Sequence, residues 1–227
     1  MEAKQYLYLV WKDPLSRRNY TVGKLSKGTG YTFEYYGEYL QAKDVGWDYI
    51  KSFPNDVKYH SEVLFPAFSS RLPDKKRKDI VSVLTKYGLS EYNGFDLLRK
   101  SGGRLPIDNY EFVEPIVFCD NVAIKEFYVV GIRHVSRCLG KACQYLPQLS
   151  NGMQLSLVPE PNNKHDTNAI LVKTIAGDSV GYVPRYYSKD VASFLKTDGK
   201  YECVVVEKNN EKNCQECVKV KLVMSKV

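Results

Sequence analysis

The segment Pro159-Glu160-Pro161-Asn162-Asn163-Lys164-His165-Asp166-Thr167-Asn168-Ala169-Ile170 contains turn-forming residues, two carboxylates, one imidazole and amide groups directly before an apolar run. Residues 153–158 alternate between apolar and polar, and residues 169–173 are mostly apolar, which predicts a strand on each side. The polar groups therefore lie on a loop between two strands, and its two prolines limit its movement. Because loops held by rigid sheets commonly carry binding residues, this segment is the first candidate site.

The length and charge of the chain set broad bounds. A chain of 227 residues can bury one large core or two smaller ones, and two domains are expected. The segment 114–125 contains Pro115 and the Asp120-Asn121 pair, and the predicted domains are residues 1–118 and 119–227. The net charge of +7 favours a polyanionic partner such as nucleic acid, although solvated surface charge explains it equally well.

The N-terminal residues lack the basic region and the sustained apolar run of a signal peptide. No stretch of the sequence reaches membrane-spanning length, and no membrane partner is expected. Six cysteines in a chain of this size should be mostly reduced thiols. The sequence therefore predicts a soluble, cytoplasmic protein.

The two halves differ in their predicted secondary structure. In the first half, strands are predicted at residues 6–11, 19–25 and 31–36, with a turn at Asp13-Pro14-Leu15-Ser16, and helices at 61–70, 74–87 and 93–100. In the second half, strands are predicted at 127–133, 154–158, 169–173, 178–183, 201–207 and 218–224, with one helix at 188–195. The predicted class is α+β: a small β-sheet with helices, followed by a mostly β module.

Three blocks of the second half occur in the order and spacing of the HIRAN domain. They are Val129-Val130-Gly131-Ile132-Arg133-His134, residues 162–170, and Val180-Gly181-Tyr182-Val183-Pro184. Over roughly residues 125–227 the chain resembles this family. The resemblance implies a modified OB-like β-barrel that binds single-stranded DNA, and in one member recognises its 3′ end.

The resemblance also implies which side chains form the end-binding pocket. An Arg-aromatic pair on the first strand corresponds to Arg133-His134, and an aromatic-Asp pair in the loop corresponds to His165-Asp166. Asp166 would accept a hydrogen bond from a terminal 3′-hydroxyl, and Arg133 would hold the neighbouring phosphate or stack on a base. Histidine replaces the larger aromatic residue at both positions, which predicts weaker and pH-sensitive stacking.

Each of these residues also has a purely structural interpretation. The alternative for Asp166 is a loop cap that binds backbone amides, and the alternative for both histidines is an ordinary packed or solvent-facing side chain. Asn162 and Asn168 are expected to support the loop. Beyond the pocket, Arg185 and Tyr186 lie where a bound strand is expected to leave it.

The first half is similar, over roughly residues 5–115, to the N-terminal subdomain of HipA-type toxin kinases. The similarity rests on Val22-Gly23-Lys24-Leu25, Phe33-Glu34-Tyr35, Phe65-Pro66-Ala67-Phe68 with Arg71-Leu72-Pro73-Asp74, and Phe95-Asp96-Leu97-Leu98. The kinase core that follows in those proteins is missing here, as is a phosphate-binding Gly-rich loop. The similarity therefore implies a module that docks a protein partner, without phosphoryl transfer.

Two further patterns are weaker. Cys214 and Cys217 have the spacing of a zinc knuckle, but one such pair is more typical of a polar hairpin with free thiols, and no cofactor or metal is expected. Lys75-Lys76-Arg77-Lys78 stands at the predicted start of the helix over 74–87. A charge run there is typical of a solvated helix face, which would add only non-specific affinity for phosphates.

The leading hypothesis is a non-enzymatic protein that binds single-stranded DNA through the second domain, with a preference for the 3′ end as a further expectation. The alternative is an interaction or toxin–antitoxin accessory adaptor that docks a kinase-like partner through the first domain. A third interpretation, a zinc-dependent or nuclease-type enzyme, requires a site assembled from dispersed residues, because no known catalytic spacing is present.

Overall fold

The computed structural model describes residues 5–135, 149–209 and 216–227. The chain divides into two compact units, Met1–Pro115 (unit 1) and Ile116–Val227 (unit 2). The elements of unit 1 are β1 (Gln5–Lys12), β2 (Asn19–Lys27), β3 (Tyr31–Tyr35), α1 (Tyr39–Asp44), β4 (Tyr59–Ser61), α2 (Pro66–Ser69), α3 (Ile80–Lys86), α4 (Gly94–Ser101) and β5 (Tyr110–Val113).

The five strands of unit 1 form one antiparallel sheet in the order β4-β3-β2-β1-β5. The turn between β1 and β2 is held by the buried Asp13 carboxylate, which accepts hydrogen bonds from the backbone N–H groups of Leu15 and Ser16 at 3.0 and 3.1 Å. This is the local hydrogen bonding that favours Asp at the start of a turn. The predicted turn and the first three predicted strands are confirmed.

The core of unit 1 is aromatic. Phe33 on β3 is fully buried, and its ring centroid lies 4.5 Å from that of Phe53 and 5.1 Å from that of Phe68. Alternate residues of β1, Leu7 and Leu9, point to the same side of the sheet and join this cluster. Burial of these large side chains is the main source of stability in unit 1.

Unit 2 is mostly β. Its elements in the described residues are β6 (Val122–Tyr128), α5 (Ile132–Val135), β7 (Leu155–Pro159), β8 (Ile170–Thr174), β9 (Ser179–Tyr182), α6 (Arg185–Phe194), β10 (Lys200–Lys208) and β11 (Val218–Ser225). They form two antiparallel sheets in the orders β10-β11-β6 and β7-β8-β9. Alternate residues of β11 are buried, which gives the sheet one core face.

Two isolated antiparallel bridges connect these sheets at their ends. Val130, just after β6, pairs with Tyr182 of β9, and Gln154, just before β7, pairs with Val204 of β10. The six strands therefore follow one another in a ring of pairings, but each connection is a single residue pair. The α+β architecture is confirmed, whereas a closed OB-like barrel with continuous ladders is not confirmed in the described residues.

The first strand of unit 2 differs from the prediction. A strand was predicted at residues 127–133, but β6 ends at Tyr128, and Arg133 and His134 lie in the short helix α5. Gly131 has a φ of +69°, a left-handed conformation that ends the strand and directs the chain into α5. The apolar residues Val129 and Ile132 are both buried, so the sequence pattern alone did not reveal the change.

The long helix predicted over residues 74–87 is also shorter in the structure. Only α3 is helical, because Asp74 Oδ1 accepts a hydrogen bond from the backbone N–H of Lys76 at 2.8 Å and closes a local turn. Such side-chain bonding competes with helix formation. No helix in the described ranges is long and apolar enough to cross a membrane.

Candidate nucleic-acid interface

The loop between β7 and β8 is folded by its own side chains, chiefly that of Asn163. Asn163 Oδ1 accepts hydrogen bonds from the backbone N–H groups of His165 and Asp166 at 3.0 and 3.4 Å. Its Nδ2 donates to Glu160 Oε2 at 2.9 Å. The loop is therefore a defined turn, and it leaves the side chains of Lys164 and His165 exposed.

Asp166 holds the end of this loop to helix α6. Its Oδ1 accepts from the backbone N–H of Asn168 at 2.9 Å, and its Oδ2 lies 2.7 Å from the hydroxyl of Ser188. The Ser188 hydroxyl also lies 2.8 Å from the carbonyl of Arg185, but its single proton goes preferentially to the charged acceptor. The side chain of Asp166 is 16% exposed, so these contacts leave part of its carboxylate open to solvent.

Arg185 connects the first turn of α6 to the same loop. Its Nη1 donates to the carbonyl of His165 at 2.8 Å and lies 3.7 Å from Asp166 Oδ2. The ring of Tyr186 meets the ring of Tyr187 edge-on, with centroids 4.6 Å apart. Arg185, His165 and Asp166 are thus brought together, and the contacts of Arg185 fix the backbone that presents His165.

Arg133 and His134 are exposed on α5. The segment before them is fixed to β9, because Val130 and Tyr182 exchange two backbone hydrogen bonds of 2.9 and 2.8 Å. A side chain on Gly131 would meet the ring of Tyr182 at 3.1 Å, and one on Gly181 would meet Val129 and the carbonyl of Val130 at 2.6 Å. Both glycines therefore permit the close approach that positions α5.

Tyr182 connects the two parts of the site. Its ring packs against Gly131, and its hydroxyl donates to Glu160 Oε2 at 3.1 Å, the oxygen that also binds Asn163. Burial raises the pKa of Tyr182, and the adjacent Glu160 carboxylate raises it further. The segment that leads into Arg133-His134 and the loop that carries His165-Asp166 therefore both contact Tyr182, which lies 22 residues along the chain from Glu160.

The exposed charge of the site is positive. Arg133 and Lys164 make no ion pair within the described residues, whereas Asp166 lies beside Arg185. Two exposed cations and two exposed imidazoles suit a phosphodiester strand with bases to stack.

Several residues of the site were not predicted from the sequence. The amide side chain that organises the loop belongs to Asn163, whereas Asn162 is exposed and its side chain makes no hydrogen bond in the described part of the chain. Asn168 contributes its backbone N–H. An Asn two residues after a proline is a recognisable turn signal, but the roles of Tyr182 and Ser188 depend on contacts across the fold and leave no local signal.

Potential metal-ligating side chains do not cluster in the described ranges. No group of three or more His, Cys, Asp or Glu residues there is arranged to hold an ion. Cys217 is buried, and Cys214 lies outside the described residues.

Solved structures with some likeness to the chain include the HIRAN domain of human HLTF, with 22% identity and a TM-score of 0.33 over 48% of this chain and 80% of that one. A protein from Lactobacillus plantarum matches with 23% identity and a TM-score of 0.37 over 46% of this chain and 99% of that one. No curated protein matches the chain.

Two family models match the sequence. Residues 122–223 match the HIRAN domain, which is generally a DNA-binding domain, and residues 16–106 match the HipA N-terminal domain. The matched regions lie within unit 2 and unit 1, respectively. The chain therefore carries a HipA N-terminal domain followed by a HIRAN domain.

Proposed function

We propose that the chain is a non-enzymatic protein that binds single-stranded DNA through the site around Tyr182, with the 3′ end of the strand at Asp166. The observation that carries the proposal is that exposed Arg133 and His134 follow the backbone pairing of Val130 with Tyr182, and that exposed His165 lies on a loop fixed by Asn163 and Arg185. A fixed backbone lowers the ordering cost of binding.

The cationic side chains and the imidazoles of the site have different roles in binding. The guanidinium of Arg133 binds phosphate through charge-assisted hydrogen bonds, and Lys164 adds a second cation. The imidazoles of His134 and His165 stack on bases, which is tolerant of sequence. Such a site tracks a flexible single strand more readily than a stacked duplex.

The 3′-end preference rests on the remaining capacity of Asp166. A carboxylate offers about four lone-pair positions, and Asn168 and Ser188 use one on each oxygen. A terminal 3′-hydroxyl donates to a remaining position. A 3′-phosphate removes that donor and adds a negative charge, which the carboxylate repels.

The test is fluorescence anisotropy with one short single strand carrying a 3′-hydroxyl, the same strand carrying a 3′-phosphate, and the matching blunt duplex. The wild type should bind the hydroxyl strand most tightly. Arg133→Ala should weaken binding to every strand, and equal affinity of the wild type for both 3′ ends would refute the end preference.

Asp166→Asn is the sharper variant for end recognition, because alanine would also release Asn168 and Ser188. The asparagine keeps one acceptor oxygen for the loop and loses the negative charge, so the penalty against the 3′-phosphate should shrink. Ser188→Ala is its control: it removes a contact to Asp166 but keeps the charge, and should preserve the preference. Incubation of the strand with the protein and Mg²⁺ or Zn²⁺ should leave it uncut.

The HipA N-terminal domain match favours a second candidate, an adaptor that docks a kinase-like partner through unit 1. In that case, a HipA-type kinase should copurify with the chain after nuclease treatment. Loss of the kinase on nuclease treatment would make the association indirect.

A further inference from the structure

A cluster of exposed cations in unit 1 lies outside the site around Tyr182. Lys75, Lys76, Arg77 and Lys78, here called the basic turn, precede α3 and are all exposed. The turn has a defined backbone, because the backbone N–H of Arg77 donates to the carbonyl of Asp74 at 3.1 Å and Asp74 Oδ1 binds the N–H of Lys76. These cations are therefore not one face of a solvated helix, as the sequence pattern had indicated.

The cations of the turn differ in their pairing. Arg77 is neutralised by Asp79, whose two carboxylate oxygens lie 2.8 Å from Nε and 2.7 Å from Nη2. Lys75, Lys76 and Lys78 make no ion pair in the described part of the chain. Three unpaired ammonium groups so close in sequence repel one another, and a polyanion bound across them would remove that repulsion.

An aromatic side chain lies next to the turn. The hydroxyl of Tyr92 donates to the carbonyl of Pro73 at 2.9 Å, and the residue is 36% exposed. Burial and the neighbouring Asp74 carboxylate raise the pKa of Tyr92, which is consistent with its place beside the turn. Lysines with an accessible aromatic ring are the combination that binds single strands without sequence preference.

We propose that the basic turn is a second nucleic-acid contact, in which Lys75, Lys76 and Lys78 bind phosphates and Tyr92 receives a base. The inference rests on the proposed function, since the same nucleic acid is the ligand. It adds a contact that does not depend on strand ends, in the domain whose main expected role was protein docking.

The experiment uses the full chain and a covalently closed single-stranded DNA circle, which has no 3′ end. The K75Q/K76Q/K78Q variant should bind the circle about tenfold more weakly than the wild type at low salt. It should also lower the slope of log K against log salt by about 2, since each phosphate contact on a single strand contributes about 0.7. The control is K51Q/K196Q/K200Q, which removes the same charge from three exposed lysines outside the basic turn and should lower the slope less.

Three results would overturn the inference: no binding of the wild type to the circle at low salt, an unchanged slope for K75Q/K76Q/K78Q, or an equal effect of the control. Tyr92→Leu should reduce affinity without changing the slope, because stacking releases no counterions. The R133A/H165A variant separates the two hypotheses. If it binds a linear 3′-hydroxyl strand as tightly as the wild type, the proposed function is wrong. The binding of the closed DNA circle to the wild type and to K75Q/K76Q/K78Q then still tests the basic turn by itself.

Discussion

Gly131 is the residue on which the position of Arg133 depends most directly. Its left-handed φ turns the chain from β6 into α5, and its missing side chain lets the ring of Tyr182 pack against it. Replacing Gly131 should therefore reduce stability in two ways, because another residue is strained at this φ and because its side chain would clash with the ring of Tyr182.

Gly131→Ala should lower the free energy of unfolding of unit 2 by about 1–3 kcal/mol and weaken DNA binding. Urea denaturation followed by circular dichroism measures the first effect and anisotropy the second. Gly152→Ala is the matched control, because Gly152 has a φ of +83° but no atom within 4 Å of an added side chain. If both variants lose equal stability and bind DNA equally, the packing of Tyr182 does not position the site.

The two neighbouring asparagines of the loop offer a second comparison at the scale of one residue. Asn163→Ala removes the acceptor for two backbone N–H groups and the donor to Glu160. It should cost about 1 kcal/mol or more of stability and reduce DNA affinity severalfold, since the loop loses its fixed shape. Asn162→Ala should change neither the stability, measured by urea denaturation, nor the DNA affinity, measured by anisotropy. Equal effects of both variants would contradict the role assigned to Asn163.

At the scale of elements, the tie between α2 and β5 makes unit 1 sensitive to acid. Arg71, just after α2, donates to both oxygens of Asp108 at 2.6 and 2.8 Å and to the carbonyl of Gly103 at 2.7 Å. Burial alone would raise the pKa of Asp108, but the hydrogen bonds from Arg71 and Tyr110 and the charge of Arg71 outweigh it and lower the pKa. The pair therefore stabilises unit 1 above the unfolded-state pKa of about 4, and this contribution is lost as the pH falls through the lower folded-state pKa.

Asp108→Asn should accordingly destabilise unit 1 at pH 7, and the difference from the wild type should shrink towards pH 2. Arg71→Met should cost about 3 kcal/mol at pH 7, because it leaves the carboxylate without its cation. Both tryptophans of the chain, Trp11 and Trp47, lie in unit 1, so their fluorescence during urea unfolding follows this unit. A difference that stays constant from pH 7 to pH 2 would contradict the assignment.

The sequence predicts an element well when the residues that determine it lie within the element itself, and poorly when they lie elsewhere in the chain. The sequence pattern that predicted strands β1, β2 and β11 is local to each strand, and the three predictions are confirmed within a few residues. The end of β6 depends on a close approach to β9 some 50 residues later, which no local pattern contains. The prediction that the helix begins at residue 74 was wrong for a local reason, since the side chain of Asp74 can bind the backbone of either a turn or a helix start.

For the candidate site, the sequence indicated the loop and its exposed side chains, but not the framework that holds them. His165 and Asp166 were identified from a motif, which does not indicate how exposed each side chain is. In the structure His165 is exposed, whereas Asp166 is largely enclosed by Asn168 and Ser188. The framework depends on Tyr182, which is recognisable only once two strands and a loop have been brought together.

At the scale of the whole molecule, the net charge of +7 favours DNA binding, and the affinity should fall with salt in proportion to the number of phosphates contacted. A plot of log K against log salt should be linear for a single strand, and Arg133→Ala should lower its slope by about 0.7. His165→Ala should weaken binding with a smaller change in slope, because stacking releases no counterions. Anisotropy titrations between about 50 and 200 mM salt measure both slopes, and a slope unaffected by Arg133→Ala would exclude a phosphate contact at that residue.

The single-pair connections of the ring also decide where unit 2 opens. Two backbone hydrogen bonds join Val130 to Tyr182, whereas β6 and β11 share a ladder of seven residue pairs. Local fluctuations should therefore separate β9 from the chain near Val130 well before β6 leaves β11. In hydrogen–deuterium exchange, the amides of Val130 and Tyr182 should take up deuterium together, faster than those of β11. A DNA strand that spans Arg133 and His165 should slow their exchange, so ligand binding would close one of the two single-pair junctions of the domain.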